Sequence, residues 1–431
     1  MNKKRILVVS YLSPPVTTPR AIRLKAFASK WVQTGYSVDI VTYGDNVVET
    51  TAYGRVYRVT SKILKKLMKI SNSSKQTANT ALTQKRGNFK SKILSWIFKM
   101  WWKVFAWPDG NCLWIFPAVK KVKELMNSNS YDAVMSISTP FSGHVVALLA
   151  LRKCKDVVWI IDSGDPFSLV PESPANNYFL YSSLNKFVER KCLEKCDYFS
   201  VTTVGTKKIY ANTFSEYADK IVVIPPLYSA DKCIPFSVEE IRKRNNGMIK
   251  INFIGYLYRK MRNPQNALNI FSKLFEKYPD LHGRCCITFF GSLGDCQDIF
   301  EEFTSKLPLD FRGSLPHDEI MDIMRSSSIL LNLGNITSFQ TPSKIIEYAL
   351  SGRPVLNVAV IPDDSILPYF VGDDTFFNIE SFSNITDKVL ERLANFILSS
   401  SAVSREPEII NRIWEDHNID KITDQYTALL N

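Results

Sequence analysis

Continuous apolar runs, each closed by a turn and followed by a helical stretch, constrain this chain most. Ile6-Leu-Val-Val-Ser-Tyr11, Ile329-Leu-Leu-Asn-Leu-Gly334 and Val355-Leu-Asn-Val-Ala-Val360 do not alternate polar with apolar residues, and Lys250-Ile-Asn-Phe-Ile-Gly255 reads as a further strand ending in Gly. Strands of that kind are covered on both faces, which is the condition of a parallel sheet flanked by helices. The first run shows the unit in full. Ser13-Pro-Pro-Val-Thr-Thr-Pro-Arg20 turns the chain, Thr18 is placed as an N-cap and Pro19 as the first helical residue. The helix runs to about Gln33, Gly35 ends it, and Ser37-Val-Asp-Ile-Val-Thr42 is the next strand. This is a Rossmann-like strand–helix–strand unit, so the fold class is α/β. At 431 residues the chain is long enough for two such domains.

The densest punctuation lies in Gln340-Thr-Pro-Ser-Lys-Ile-Ile-Glu-Tyr-Ala-Leu-Ser-Gly-Arg-Pro-Val355. Thr341 reads as an N-cap, Pro342 as the first helical residue and Gly352 as the left-handed residue past the end. A helix N-terminus offers unpaired N–H groups to an anion; Ser343 adds a hydroxyl and Lys344 a charge, so a phosphate or diphosphate suits it. Glu347, one turn on, is able to accept two hydrogen bonds from a vicinal diol such as a ribose. The same residues also suit an ordinary capped helix with a solvated Lys and Glu.

Charge is concentrated. The net charge is +12, yet between Glu49 and Asp109 there are thirteen Lys or Arg and no acid, so the rest of the chain is near neutral. Ser61 to Ile70 has amphipathic spacing. Ser91 to Trp107 sets Trp96, Trp101 and Trp102 among Lys92, Lys99 and Lys103. That composition suits a helix in an anionic bilayer interface; packing of the aromatics on the core with lysines in water is the other reading. The absence of a recognisable nucleic-acid module speaks against nucleic acid as partner. The eight cysteines have no paired spacing, so no metal site and no disulfide framework is expected. The apolar run after Met1-Asn-Lys-Lys-Arg5 is short and lacks a cleavage site. No run approaches the ~20 apolar residues of a membrane span, so a cytoplasmic protein is expected.

Thr341 to Val355 resembles the nucleotide-sugar-binding signature of family-4 GT-B glycosyltransferases. The resemblance covers nearly the whole chain outside roughly 50–106 and implies two Rossmann-like domains facing a central cleft. By it, Glu347 holds the donor ribose, and Thr341, Ser343 and Lys344 face the phosphates. Gly255 lets the donor near the backbone, Arg259, Lys260 and Arg262 grip its diphosphate without metal, and Gly313, Leu315 and Pro316 border the base. Asp162 and Asp165 stand in an Asp-x-x-Asp-Pro-aromatic pattern beyond a strand end and are the expected catalytic pair; capping of the following loop is the competing role for Asp165. The family commonly has Arg where Gly164 stands, a Gly pair where Val16-Thr17-Thr18 stands, and a second Glu where Phe339 stands. His144, alone in an apolar helix, reads as structural.

The domains expected are 1–233 for the acceptor, with the basic insertion at about 50–106, 234–403 for the nucleotide-sugar, and a helix at 404–431 packing back on the first. The expected activity is retaining, metal-independent transfer of a sugar from a UDP- or GDP-linked donor. No cofactor beyond that co-substrate is expected. The expected acceptor is a lipid-linked glycan at the anionic inner-membrane surface, in capsule or lipopolysaccharide synthesis by a peripheral membrane enzyme. A nucleotide-sugar epimerase of the same architecture and a non-enzymatic membrane-surface scaffold are the rival readings.

Overall fold

A computed structural model describes residues 4–16, 18–61, 102, 104–154, 156–228, 235–342, 344–400 and 403–430. The chain divides into two compact units, Met1–Ser229 with Ile419–Asn431, and Ala230–Asn418. The final helix, Ile419–Ala428, belongs to the first unit, whereas Pro407–His417 belongs to the second, so the return to the first unit comes at 419 rather than 404.

In the first unit the described residues form an eight-stranded sheet ordered β3-β4-β2-β1-β5-β6-β7-β8. The strands are β1 (Arg5–Ser10), β2 (Ser37–Tyr43), β3 (Val48–Thr51), β4 (Gly54–Val59), β5 (Ala133–Ile137), β6 (Val158–Asp162), β7 (Tyr198–Val201) and β8 (Ile221–Val223). Every pairing is parallel except β3 with β4. The start of the expected insertion is therefore sheet: residues 50–59 complete an edge hairpin, with Gly54 (φ +126) so close to Val38 O that an added Cβ would lie 2.5 Å away. Residues 62–101 and Lys103, with Lys92, Trp96, Lys99 and Trp101 among them, lie outside the described residues. The stretch leaving that segment is anchored to the first unit: the Trp102 indole donates to Gly110 O at 3.2 Å and the Trp107 indole to Asn185 Oδ1 at 3.0 Å.

Helix α1 (Pro19–Gln33) covers one face of this sheet with Ala21, Leu24, Phe27, Ala28 and Trp31, at the three- and four-residue spacing of a buried stripe. Thr18 Oγ1 caps it by accepting from Ala21 N at 3.4 Å. Burying side chains the size of Leu24 and Phe27 contributes about 1.5–3 kcal/mol each.

The second unit carries a six-stranded, wholly parallel sheet ordered β11-β10-β9-β12-β13-β14. Its strands are β9 (Ile249–Tyr256), β10 (Cys285–Ser292), β11 (Leu309–Gly313), β12 (Ile329–Leu333), β13 (Val355–Ala359) and β14 (Phe376–Glu380). Counted from β9, this is the 3-2-1-4-5-6 order of a dinucleotide-binding Rossmann sheet. The strand order reverses between β9 and β12 here, and between β1 and β5 in the first unit. Ligands of open parallel sheets bind beyond the carboxyl ends of strands at such points. No helix among the described residues is long and apolar enough to cross a membrane.

Candidate functional site

Beyond the carboxyl ends of the second sheet lie the loops that follow β9, β10, β11, β12 and β13. Gly255 is the penultimate residue of β9, and its partner Gly291 on β10 has φ +119 with an added Cβ only 2.0 Å from Gly255 O, so no side chain fits there. The loop after β9 folds back through a bridge between Tyr258 and Arg262, which returns the Arg262 guanidinium to within 3.5 Å of where a Gly255 Cβ would lie. Arg262 donates to Asn335 Oδ1 at 3.0 and 3.3 Å. Burial lowers its pKa, only partly offset by Tyr348, Tyr258 and Asp364. A largely desolvated guanidinium beside an open backbone binds an anion more strongly than one in water.

Asn335, after β12, also donates to Gln340 O at 3.1 Å, and Ser365, after β13, donates to the same oxygen at 2.9 Å. Asp364 sits beneath, its Oδ2 accepting from Asn357 Nδ2 at 3.1 Å and lying 2.8 Å from where a Gly334 Cβ would be. These bonds fix the turn into the helix Lys344–Leu350. The Thr341 hydroxyl donates to Ser365 O at 3.5 Å, which ties this turn to the segment after β13. Ser343 lies outside the described residues. Tyr348, wholly buried, accepts from Ile254 N at 2.9 Å and ties the helix to the end of β9. Glu347 and Lys344 then share an ion pair of 2.6 Å, with side-chain exposures of 18% and 33%.

The remaining expected donor residues divide. Arg259 is exposed and turned to the 295–298 turn, donating to Asp295 O at 2.9 Å and paired with Asp298, which raises its pKa. Lys260 is exposed. Gly313 (φ +67) ends β11, Leu315 is half-buried and Pro316 exposed; Ser314 donates to Gly291 O at 3.3 Å, which draws this turn toward the end of β10.

In the first unit the Asp162 carboxylate is 1% exposed. Oδ2 lies 3.4 Å from Arg20 Nη1 and 3.5 Å from Arg23 Nε, and Oδ1 accepts from Ser200 at 3.2 Å. Burial pushes its pKa up, but Arg23 and Arg20 outweigh burial and hold it below the ordinary value. Asp165, three residues on, is exposed. His144 is buried in the helix Ser142–Ala150, Nδ1 at 2.9 Å from Ser136 Oγ. Burial lowers its pKa to about 3, with Asp162 opposing and Arg20 assisting.

Several residues had no signal in spacing. Asp109 accepts from Ser142 N and Ser142 Oγ, both at 2.8 Å, and so caps the His144 helix from 33 residues away. Glu189 accepts from Phe167 N and Ser168 N at 3.1 Å, and from the hydroxyls of Ser168 and Tyr210, and thereby fixes the loop after β6. One sign of Glu189 was available: it falls on the apolar stripe of its helix with Val188, Cys192 and Leu193. Among the described residues no cluster of three or more His, Cys, Asp or Glu is placed to hold a metal ion.

No family model matches the chain. It is 22% identical over 206 residues to an uncharacterized glycosyltransferase of Methanocaldococcus jannaschii, covering 46% of this chain and 48% of that protein. The match thus spans about half the length of that relative. Among solved structures, a sucrose-phosphate synthase from Thermosynechococcus elongatus matches with a TM-score of 0.62 at 14% identity, over 99% of this chain and 98% of that one. The lipopolysaccharide outer core galactosyltransferase WaaB matches with a TM-score of 0.57 at 13% identity, over 99% of each chain. At such identities the likeness is one of fold: two Rossmann-like α/β units of the GT-B type.

Proposed function

We propose that this chain is a glycosyltransferase that moves a sugar from a UDP- or GDP-linked donor to a lipid-linked glycan at an anionic membrane surface, in cell-surface polysaccharide synthesis. The observation that carries the reading is the convergence of Gly255, Arg262, Lys344 and Glu347 beyond the strand ends at the reversal point of the second sheet. Lys344 and Glu347 are paired at 2.6 Å. A nucleotide diphosphate and its ribose diol offer each a better partner, so binding exchanges one ion pair for two charge-assisted contacts. Arg262 and Lys344 stabilise the departing nucleotide without metal, and in a retaining transfer a donor phosphate oxygen takes the acceptor proton.

The match to WaaB, a lipopolysaccharide galactosyltransferase, supports a polysaccharide setting. An epimerase would need an acid/base pair open to substrate, and the buried Asp162 and His144 do not supply one. The test is transfer from labelled UDP- and GDP-sugars to lipid extracted from bacterial membranes, with EDTA present. Labelled lipid formed by the wild type and lost in Glu347→Ala supports the proposal. Free sugar converted to its epimer, with no labelled lipid, replaces it by the epimerase reading.

A further inference from the structure

We propose that Arg20 is an anion-recognition residue of the first unit, whose guanidinium receives a phosphate or diphosphate group of the acceptor. The anion site rests on the first unit alone; its assignment to the acceptor rests on the sugar-transfer reading.

The observations begin with an imbalance of charge. One buried carboxylate, Asp162, faces two guanidinium groups. Arg23 is consumed by the fold: it donates to Pro225 O at 2.7 Å, Ile224 O at 3.2 Å and Tyr426 OH at 2.8 Å. Arg20 is not. Its ion-pair partner among the described residues is Asp162, reached by a single long contact of 3.4 Å from Nη1. Its side chain is 18% exposed, and among the described residues no Arg20 nitrogen is both buried and without a partner, so the N–H donors that Asp162 does not take up still reach solvent. A guanidinium in that state gains from any ligand that fills its fork. His144 is neutral because of burial, and its Nε2 has no hydrogen-bond partner among the described residues. The group Arg20, Arg23, Asp162 and His144 therefore carries a net positive charge.

The head of Arg20 is also held in place. It lies across Gly164, where an added Cβ would be 1.8 Å from Nη2 and 2.3 Å from Cζ. Gly164 follows β6 and Arg20 lies in the first turn after β1, so both stand beyond carboxyl ends of parallel strands. A planar fork pinned between a carboxylate and a glycine backbone, with an edge turned to solvent, matches the spacing of phosphate oxygens.

Amide hydrogen exchange on the full chain, with inorganic pyrophosphate compared with chloride at equal ionic strength, tests this. Protection is expected in residues 18–24 and 162–166. Arg20→Lys keeps the charge but removes the fork, and Gly164→Ala displaces the guanidinium without altering any charge. Each is expected to weaken pyrophosphate protection of these segments on the order of tenfold, about 1.4 kcal/mol. Protection confined to residues 255–262 and 344–347, or unaltered in both variants, overturns the site. Protection lost in both variants while the KM for lipid acceptor is unchanged keeps the anion site and overturns its assignment to the acceptor.

Discussion

Acidification reaches this fold through His144. Its folded-state pKa of about 3 lies below the ordinary 6.5, because burial disfavours the imidazolium. The unfolded chain therefore takes up this proton first, and stability present at neutral pH is lost as pH falls from about 6.5 toward 3, by up to ~1.4 kcal/mol per pH unit. Asp162 adds to the loss at lower pH, since a depressed carboxylate pKa gives stability above its unfolded value that disappears as pH falls through its folded one. In His144→Gln, urea midpoints between pH 6.5 and 4.5 are expected to flatten; an unchanged slope rejects the assignment. Glu189 is the other residue with a large expected effect. Its removal leaves four buried donors without an acceptor, so Glu189→Ala is expected to cost about 3 kcal/mol in urea unfolding, and a cost under about 1 kcal/mol contradicts its role.

Elements were legible where their signals are local. The Thr18 cap and Pro19 start of α1 and the left-handed Gly352 (φ +73) depend on neighbours in sequence and could be read from it. The bond from the Thr341 hydroxyl to Ser365 O could not, because its partner lies 24 residues away. The β3–β4 hairpin was hidden for another reason: its edge strand Val48–Thr51 is half exposed and polar, and it merged into the basic stretch that follows. The ion pairs of Asp162 were not legible because its partners Arg20 and Arg23 lie about 140 residues earlier in the chain. The last helix shows what such distant bonds contribute. Tyr426 is fully buried against Phe27 and Trp31, with its hydroxyl at 2.8 Å from Arg23 Nη2, and Trp31 Nε1 donates to Thr427 at 2.9 Å. Tyr426→Phe is expected to lower stability by about 2 kcal/mol, the worth of a buried bond to a charged donor. A loss within 0.5 kcal/mol by urea titration would show that the hydroxyl is dispensable.

At the scale of the whole molecule, two architecturally similar units carry different groups beyond their strand ends: Arg262 with the Lys344–Glu347 pair in the second, the Arg20 and Arg23 guanidinium groups in the first. The basic, tryptophan-rich segment between β4 and β5 supplies the remaining charge asymmetry. If it holds the protein to an anionic bilayer, replacing Lys92, Lys99 and Lys103 by Gln removes about 1 kcal/mol each, and partitioning onto phosphatidylglycerol vesicles falls by roughly a hundredfold. Undiminished sedimentation of the triple variant contradicts that attachment. The central claim is nucleotide recognition at Glu347, and calorimetric titration with UDP and GDP, without metal, tests it most directly. Saturable binding of one nucleotide, weakened at least tenfold in Glu347→Ala (about 1.4 kcal/mol or more), is the result predicted. Binding of equal strength in the variant, or of neither nucleotide in the wild type, would contradict it.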